Sequence, residues 1–551
     1  MGNITITQAV LCGMIYWLAI GNLPFVGLWT LQKPFVCGTL TGLMLGHPVE
    51  GAVIGASINL IYLGFISAGG SMPADISLAG ILGTVFAISN HLDTKVALAL
   101  AVPIGLLGTL VWTGRMTFDS AFVHMADRYI EKDEYHKIWR ANVLYPQIMC
   151  FVMTVIPCAL AIYFGVDFVD RFLGLFEGNV LSVLQIIGGL MPALGIAITL
   201  QNIYEGESRV FLFVGFMLAV YTELPLLTLG IIALITAIIY VQVTESNGFA
   251  GRRSALQDEE DDDDEEDDLE EMAFDSPHHL IPKKALFKAW LIWETFPQTC
   301  YNYERMMGQH MAHVFTKIIG YLYKENPEKR KEVMKREMDF FNVHVEFGSC
   351  IPGMAIALEE MKAIGKPIPG DLIKNLKTSF MGPLAGLGDT IWQGVFIPVL
   401  LVICIDISNT NGGNIYGVIL YTVVTIVVAG VLSHRNFMFG YKAGYNAIVD
   451  YLEKGILKCL TKGASIMGCM VMGSLIVNYV TCTCGVIIKT SVNSYNIQEQ
   501  LLNQICPGIL PLAMTMLIYF LLKKKRWTAT RVILFIFVIG VLGGLTGILT
   551  T

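Results

Sequence analysis

Residues 381–394 combine chemical groups that could bind a polar ligand within an apolar part of the chain. Asp389 supplies a carboxylate, Trp392 an indole face and Gln393 an amide, and three glycines and a proline stand just before them. A helix that only spans lipid has no use for so many residues that weaken it, and broken backbone at membrane depth has to line a cavity or be buried in protein. The stretch therefore predicts a re-entrant or unwound segment that exposes backbone and Asp389 to a polar ligand.

A second set of candidate groups lies near the start of the chain. Asn59 and Tyr62 are three residues apart, which predicts one helix face, and a glycine turn at 68–75 ends in Asp75. An amide, a phenol, free backbone N–H groups and a carboxylate suit a polyhydroxylated ligand, but they equally fit an interhelical polar clamp. Trp29 suits a sugar face or an aromatic anchor at the membrane interface.

The later part of the chain offers a third set. Asn302, Glu304 and Arg305 stand among aromatic residues, and Asn342 and His344 follow two phenylalanines. The alternatives are an exposed Glu–Arg pair, which contributes little to stability, and a structural histidine.

The elements that position these residues follow from composition. The 551-residue chain is 54% hydrophobic and only 15% charged, and repeated apolar runs carry the excess, so we predict an all-α polytopic membrane protein. Short apolar segments interrupted by Gly or Pro predict broken transmembrane helices. The composition and motifs contain no nucleotide-binding loop, metal-ligand spacing or basic patch with aromatics, so we expect no cofactor, no metal and no nucleic-acid partner.

The chain divides into two hydrophobic halves. We expect a membrane domain at 1–245, a disordered acidic linker at 246–280 and a second membrane domain at 281–551. Within the second domain, 281–345 predicts amphipathic helices on the cytoplasmic face and 346–551 the transmembrane part. Two arginines after the last apolar segment of the first half favour a cytoplasmic linker.

Short motifs in a specific order resemble a known family over almost the whole chain. The first half resembles the IIC membrane subunit of the mannose-type sugar phosphotransferase system, and the second half resembles its IID subunit. The IIC motifs are Gln-Lys-Pro at 32–34, Gly-Leu-Met-Leu-Gly at 42–46, the segment 55–64 and Met-Pro-Ala-Asp at 72–75. The IID motifs are Asn-Tyr-Glu-Arg-Met at 302–306, Phe-Phe-Asn at 340–342, Ala-Leu-Glu-Glu at 357–360 and the segments 381–389, 461–465 and 507–511.

The resemblance implies a function and partners. Together the two parts would bind a hexose (mannose, fructose, glucose, sorbose) or an amino sugar from outside. A cytoplasmic IIB protein carrying phosphohistidine would phosphorylate the sugar as it enters, and a IIA protein would recharge IIB. Relatives are inverted-repeat assemblies in the bacterial cytoplasmic membrane, arranged as trimers, which predicts a homotrimer of the fused chain among membrane lipids. Whether this chain is itself the enzyme stays open, since the phosphoryl donor is a separate protein.

The groups described above and the resemblance together give the candidate site residues. The substrate-binding set is Trp29, Asn59, Asp75, Asn302, Glu304, Asn342, Asp389 and Trp392. Of these, Asp75, Glu304 and Asp389 are candidate carboxylates that polarise the acceptor hydroxyl. The basic residues at 329–336 are a candidate docking surface for IIB. An ion-coupled sugar carrier and a membrane docking platform without transport are the alternative functions.

Overall fold

A computed structural model describes most of the chain. The described residues are 4–23, 27–63, 65, 72, 74–174, 179–222, 224, 226–256, 280–453, 456–489 and 494–550. The predicted glycine turn falls largely on residues outside this set, and so does the acidic run within the predicted linker.

The described part of the first half is mainly helical. Its helices α1 to α9 are Ile6–Ile20, Pro34–Leu45, Pro48–Ile61, Ile76–Ser89, Thr94–Glu131, Tyr145–Gly174, Asn179–Ile203, Ser208–Thr222 and Leu226–Leu256. A 3₁₀ turn at Tyr135–Lys137 and a π-helical turn at Arg140–Leu144 join α5 to α6. Helix α9 runs past residue 246, where the linker was expected to begin.

The second half is also mainly helical. Helices α10 to α15 are Lys283–Thr295, Gly308–Phe315, Ile319–Leu322, Pro327–Glu337, Val345–Gly348 and Cys350–Ala363, and α16 to α22 are Gly370–Gly388, Ile397–Asn409, Tyr416–Glu453, Ile456–Tyr479, Asn503–Ile505, Ile509–Lys523 and Ala529–Thr546. Shorter helical turns are Asp389–Phe396, Thr410–Gly412 and Gln498–Leu502. Two antiparallel pairs join β1 (Thr483–Cys484) to β4 (Leu549–Thr550) and β2 (Ile487–Lys489) to β3 (Ser494–Asn496).

Several helices are long and apolar enough to cross a membrane. Within the described residues these are Thr94–Glu131, Tyr135–Val166, Gly370–Asn409 and Tyr416–Lys442. Gln498–Ile505 and Ile509–Lys523 form a further apolar pair bent by 67°, the geometry of a broken span or a re-entrant loop. The prediction of an all-α polytopic membrane protein is thereby confirmed.

The stretch 381–394 is helical, and the prediction that it is unwound is wrong. Helix α16 continues through Pro383 and passes into the π-helical segment Asp389–Phe396, which leads directly into α17. One proline removes one helical hydrogen bond, and a long helix packed in protein tolerates that loss. The irregularity is a π-helical segment, a form that often marks functional sites.

The two halves pack into shared apolar cores. Trp29 and Leu194 of the first half belong to the same buried cluster as Trp392 and Leu475 of the second half. Helices α8 and α19 approach closely because Gly215 lies against the Met470 carbonyl, and small residues allow such contacts between membrane helices.

Ion pairs also connect the halves, at the polar end of α5. Arg305 makes two hydrogen bonds to Asp127, at 2.8 and 3.0 Å, and Arg330 pairs with Asp133 at 2.6 Å. The hydrogen bonds from Arg330 lower the pKa of Asp133. Lys331 and Lys335 contact Glu131. Much of the basic cluster at 329–336 is therefore neutralised by acids of the first half, which argues against its use as a free docking surface for IIB.

Candidate functional site

A pocket of about 750 Å³, part of it open to solvent, lies where the two halves meet. The segment before α2 and the segment before α4 supply the first-half wall, and the second-half wall comes from the turn after α10, the strand-like stretch before α14 and the start of the π-helical segment. The polar lining residues are Gln32, Lys33, Gln298, Tyr301, Asn342, His344, Asp389 and Gln393. Trp29, Phe65, Met72 and Val345 are among its apolar lining residues.

The π-helical segment presents Asp389 and Gln393 together. Gln393 Nε2 donates to Asp389 Oδ1 at 2.6 Å, and both side chains are half-buried and line the pocket. This pair joins a hydrogen-bond acceptor to an amide, which is a suitable surface for adjacent hydroxyl groups.

Asn342 also belongs to the second-half wall of the pocket. Tyr301 Oη donates to Asn342 Oδ1 at 2.7 Å, and the Asn342 backbone N–H contacts Met381 Sδ at 3.0 Å. With its carbonyl oxygen held in this way, the amide NH₂ group is the end of the side chain left to donate to a ligand.

Trp29 belongs to an aromatic cluster at the pocket wall. Its ring stacks on His344 with centroids 5.4 Å apart and planes 18° apart, and Trp392 lies edge-on at 6.2 Å. Trp29 lines the pocket, whereas Trp392 is buried behind it and stacks on Phe396. The structure therefore brings Trp29, Asn342 and Asp389 of the sequence-predicted set into one pocket, with Trp392 supporting them.

Asp75 and Asn59 are buried in structural roles instead. Asp75 caps helix α4 by accepting from the Leu78 N–H at 2.9 Å, and it also accepts from Ser77 Oγ at 2.8 Å and from Tyr16 Oη at 2.6 Å. Asn59 Oδ1 accepts from the Phe35 N–H at 3.3 Å. The carboxylate of Asp75 is thus used within the protein, although its neighbours Ala74 and Ile76 line the pocket.

Asn302 and Glu304 also lie outside the pocket lining. Asn302 Oδ1 accepts from the backbone N–H groups of Glu304 and Arg305, at 3.1 and 2.9 Å, and so closes a turn. The Glu304 side chain is exposed and lies 3.2 Å from His124 Nε2. Of the sequence-predicted set, Asn59, Asp75, Asn302 and Glu304 therefore do not line this pocket.

The substrate-binding set predicted from the sequence does not contain Gln32, Gln298 or His344, and it leaves out Gln393 although the Gln393 amide is one of the groups that could bind a polar ligand. Gln32 stands in the resembling motif at 32–34, and Gln393 is one helical turn after Asp389, so both carried a usable signal. For His344 the sequence equally fits a structural histidine. Its position two residues after Asn342 in an extended segment could have indicated a shared wall.

Comparisons with known proteins match the two halves separately. Residues 280–549 match the family model "PTS system mannose/fructose/sorbose family IID component", and residues 6–239 match "PTS system sorbose-specific iic component". The junction between the two matches falls at the acidic run.

Curated relatives give the same division. The "PTS system mannose-specific EIID component" of Escherichia coli strain K12 is 33% identical over 257 residues, which is 46% of this chain and 89% of the relative. The "Fructose permease IID component" of Bacillus subtilis strain 168 is 33% identical and covered to 98%, over 49% of this chain. The "PTS system mannose-specific EIIC component" of E. coli strain K12 is 28% identical and covered to 91%, over 44% of this chain.

These matches confirm the family predicted from the sequence motifs. Most of the length of each relative is covered, and the two matched regions lie side by side in one polypeptide. The chain belongs to the mannose/fructose/sorbose family of sugar phosphotransferase-system permeases, as a IIC component fused to a IID component in a multi-pass protein of the bacterial inner membrane.

Proposed function

We propose that the pocket between the two halves binds a hexose or an amino sugar, and that the chain translocates it coupled to phosphorylation by a cytoplasmic phospho-IIB protein. One observation carries this proposal: Trp29 and Gln32 of the IIC half and Asn342, Asp389 and Gln393 of the IID half line the same pocket. Neither half alone contains the complete lining, which fits a family whose IIC and IID components work together.

The chemistry of the pocket suits a neutral, polyhydroxylated ligand. The carboxylate of Asp389 accepts from sugar hydroxyls, the Asn342 amide donates, the Gln32 amide accepts or donates, and the Trp29 side chain offers an apolar surface. Lys33 adds a positive charge beside the Trp29 ring, at 5.7 Å from its centroid.

The descriptions of the relatives support the proposed substrate class and partners. The relatives are described as mannose-specific and sorbose-specific components and as a fructose permease component, so this chain is proposed to take a sugar of that class. Soluble IIA and IIB proteins supply the phosphoryl group. We further propose that the acidic linker is cytoplasmic and that the fused chain forms a homotrimer.

Reconstitution of the purified chain in liposomes tests the proposal. Labelled sugars are added outside, with phosphorylated IIB enclosed, and sugar phosphate is measured inside. We expect accumulation of sugar phosphate that stops when IIB lacks its phosphoryl group. Accumulation of free sugar without a phosphodonor would indicate an ion-coupled carrier, and no uptake with the full relay would indicate a docking platform.

Replacement of Asp389 tests the site itself. Asp389→Asn keeps the size of the side chain but removes its charge, and we expect at least a tenfold loss of sugar affinity with normal membrane insertion. Asp371→Asn is the matched control. Asp371 lies at the start of α16, the helix that leads into the π-helical segment, and its exposed carboxylate does not line the pocket. Wild-type affinity and uptake in Asp389→Asn would remove Asp389 from the site.

A further inference from the structure

The His344 ring lies between the proposed sugar pocket and a buried carboxylate. His344 lines the pocket, and its Nδ1 lies 3.1 Å from Glu346 Oε2. The side chains of both residues are almost completely buried. Both ring nitrogens are buried, and within the described residues neither has an aligned hydrogen-bond partner, so Nε2, the nitrogen that does not face Glu346, is left unpaired at the pocket wall.

Packing restricts how this ring can move. Trp29 stacks on one side of it, and Gly388 lies so close that a Cβ atom there would overlap the imidazole. Phe347 lies edge-on, with ring centroids 5.7 Å apart. These three contacts fix the orientation of the imidazole at the pocket wall. A fixed orientation is needed for a functional side chain but not for one that only fills space.

Glu346 is itself held in place. It accepts a hydrogen bond from Trp29 Nε1 at 2.5 Å and lines a small cavity behind the pocket together with Glu294 and Asn22. Burial and then the nearby Glu346 raise the pKa of Glu294. A buried anion beside a histidine stabilises the imidazolium form of that histidine.

We propose that His344 is the general base of the phosphoryl transfer and that Glu346 is the residue that positions it. This rests on the proposed function. The sugar hydroxyl loses its proton to His344 Nε2 as its oxygen forms a bond to phosphorus. The P–N bond of the phosphohistidine on IIB breaks, and the departing imidazole keeps the electron pair. The resulting His344 imidazolium is stabilised by Glu346, and it passes its proton to solvent when the sugar phosphate leaves.

Asp389 is less suited to this role than to binding. Its Oδ1 already accepts from Gln393 Nε2, so the carboxylate is oriented by a neighbouring amide. The His–carboxylate arrangement, in contrast, has the form of a base held by a third group. Long or poorly aligned contacts in a ligand-free site are common and shorten in the substrate complex.

The test separates sugar binding from phosphoryl transfer. His344→Gln and His344→Asn are prepared, and labelled sugar binding is measured by equilibrium dialysis without a phosphodonor. Single-turnover formation of sugar phosphate is then followed after mixing with phospho-IIB. We expect affinity within threefold of wild type and a transfer rate at least 100-fold lower, in line with the ~10²–10⁴ range for general acid–base catalysis.

Glu346→Gln tests the positioning role, because the amide oxygen can still accept from Trp29. We expect kcat to fall about tenfold while KM is unchanged, whereas a purely structural role would change both. His124→Gln, at an exposed site away from the pocket, should match wild type. Transfer at the wild-type rate in a folded His344 variant overturns the proposal, as does a loss of binding equal to the loss of rate. Failure of the proposed function would instead appear as no sugar binding by the wild-type chain.

Discussion

Trp29 of the IIC half donates its indole N–H to Glu346 of the IID half at a distance of 2.5 Å. Both side chains are buried, and Trp29 also lines the pocket. This hydrogen bond ties the aromatic wall contributed by one half to the segment of the other half that carries Asn342 and His344. The pocket therefore lies at the interface between the two halves. The buried hydrogen bond from Trp29 to the Glu346 carboxylate fixes the position of one wall relative to the other.

Trp29→Phe tests this connection. Phenylalanine preserves an aromatic surface but leaves Glu346 Oε1 buried without its donor, at a cost of about 1–3 kcal/mol. We expect a lower Tm and at least a fivefold loss of sugar affinity. Trp17→Phe is the matched control, because Trp17 Nε1 donates to Gln147 within the IIC half at 3.1 Å. A Trp29→Phe protein that binds sugar as well as Trp17→Phe would contradict the connection.

Gly388→Ala is expected to disturb the pocket through His344. The new methyl group would overlap the imidazole, so the ring or helix α16 has to shift, and overpacking of this kind costs about 1–3 kcal/mol. We expect sugar uptake to fall tenfold or more while membrane insertion is retained. Binding by equilibrium dialysis and uptake in liposomes measure the effect.

Gly386→Ala provides the control for that substitution. Gly386 lies on the same helix, and a Cβ atom there meets no neighbouring atom within 4 Å. Alanine is also the better helix former, by roughly 1 kcal/mol in a helix interior. We expect Gly386→Ala to transport at the wild-type rate with an equal or higher Tm. Equal transport by both alanine variants would show that the Gly388–His344 contact is unimportant.

The fold class and the family were predictable because hydropathy and short motifs are properties of neighbouring residues. Asp389 and Trp29 could also be recognised as candidate site residues, because a charged group in an apolar segment is costly unless it has a function or a partner, and an indole beside polar groups suits a ligand surface. Asp75 was not distinguishable from a ligand-binding acid, because its partner Tyr16 Oη is 59 residues away in the sequence. The role of Gly388 could not be seen either, since the ring that requires it comes from a distant segment.

Cutting the acidic linker is expected to leave a functional complex. Arg115 of α5 donates to the carbonyl oxygens of Gln298 and Thr299 across the interface, at 2.5 and 3.0 Å, and the halves share a buried core. A protease site placed between residues 257 and 279 should therefore give two fragments that still elute together and bind sugar. Separation of the wild-type fragments would contradict this.

Two variants of the cleaved protein compare how much two arginines contribute to holding the fragments together. Arg115→Met leaves Asp119 buried without its cation, a change that costs about 3–5 kcal/mol, so we expect the fragments to separate. Arg305→Met breaks a half-exposed pair with Asp127, which is worth about 1 kcal/mol or less. We expect its fragments to stay together, as judged by co-elution after cleavage. The reverse order would show that the polar end of α5 holds the halves together.

His313 should make the stability of the folded protein depend on pH. Burial lowers the pKa of His313 to about 3, with smaller contributions from His310 and Lys317. The unfolded chain protonates this imidazole below pH ~6.5, whereas the folded protein does not until pH falls to about 3. Stability is therefore complete above pH ~6.5 and is lost as the pH falls toward 3, by up to about 1.4 kcal/mol per pH unit.

His313→Gln isolates this contribution from other titrating groups. Glutamine can keep a hydrogen bond to Asn142 Nδ2, which lies 3.2 Å from His313 Nδ1, but it cannot be protonated. Burial raises the pKa of Glu359 to about 7, which gives the opposite pH dependence, so the informative quantity is the difference between wild type and variant. We expect Tm to fall less in His313→Gln than in wild type between pH 7.5 and about pH 5.5, while exposed His124→Gln follows wild type. If the imidazole stays neutral in the folded protein, the Tm of the wild type has to fall more on acidification than the Tm of His313→Gln. Identical dependence of Tm on pH in the two proteins would therefore contradict the prediction and mean that the folded protein accommodates the protonated ring.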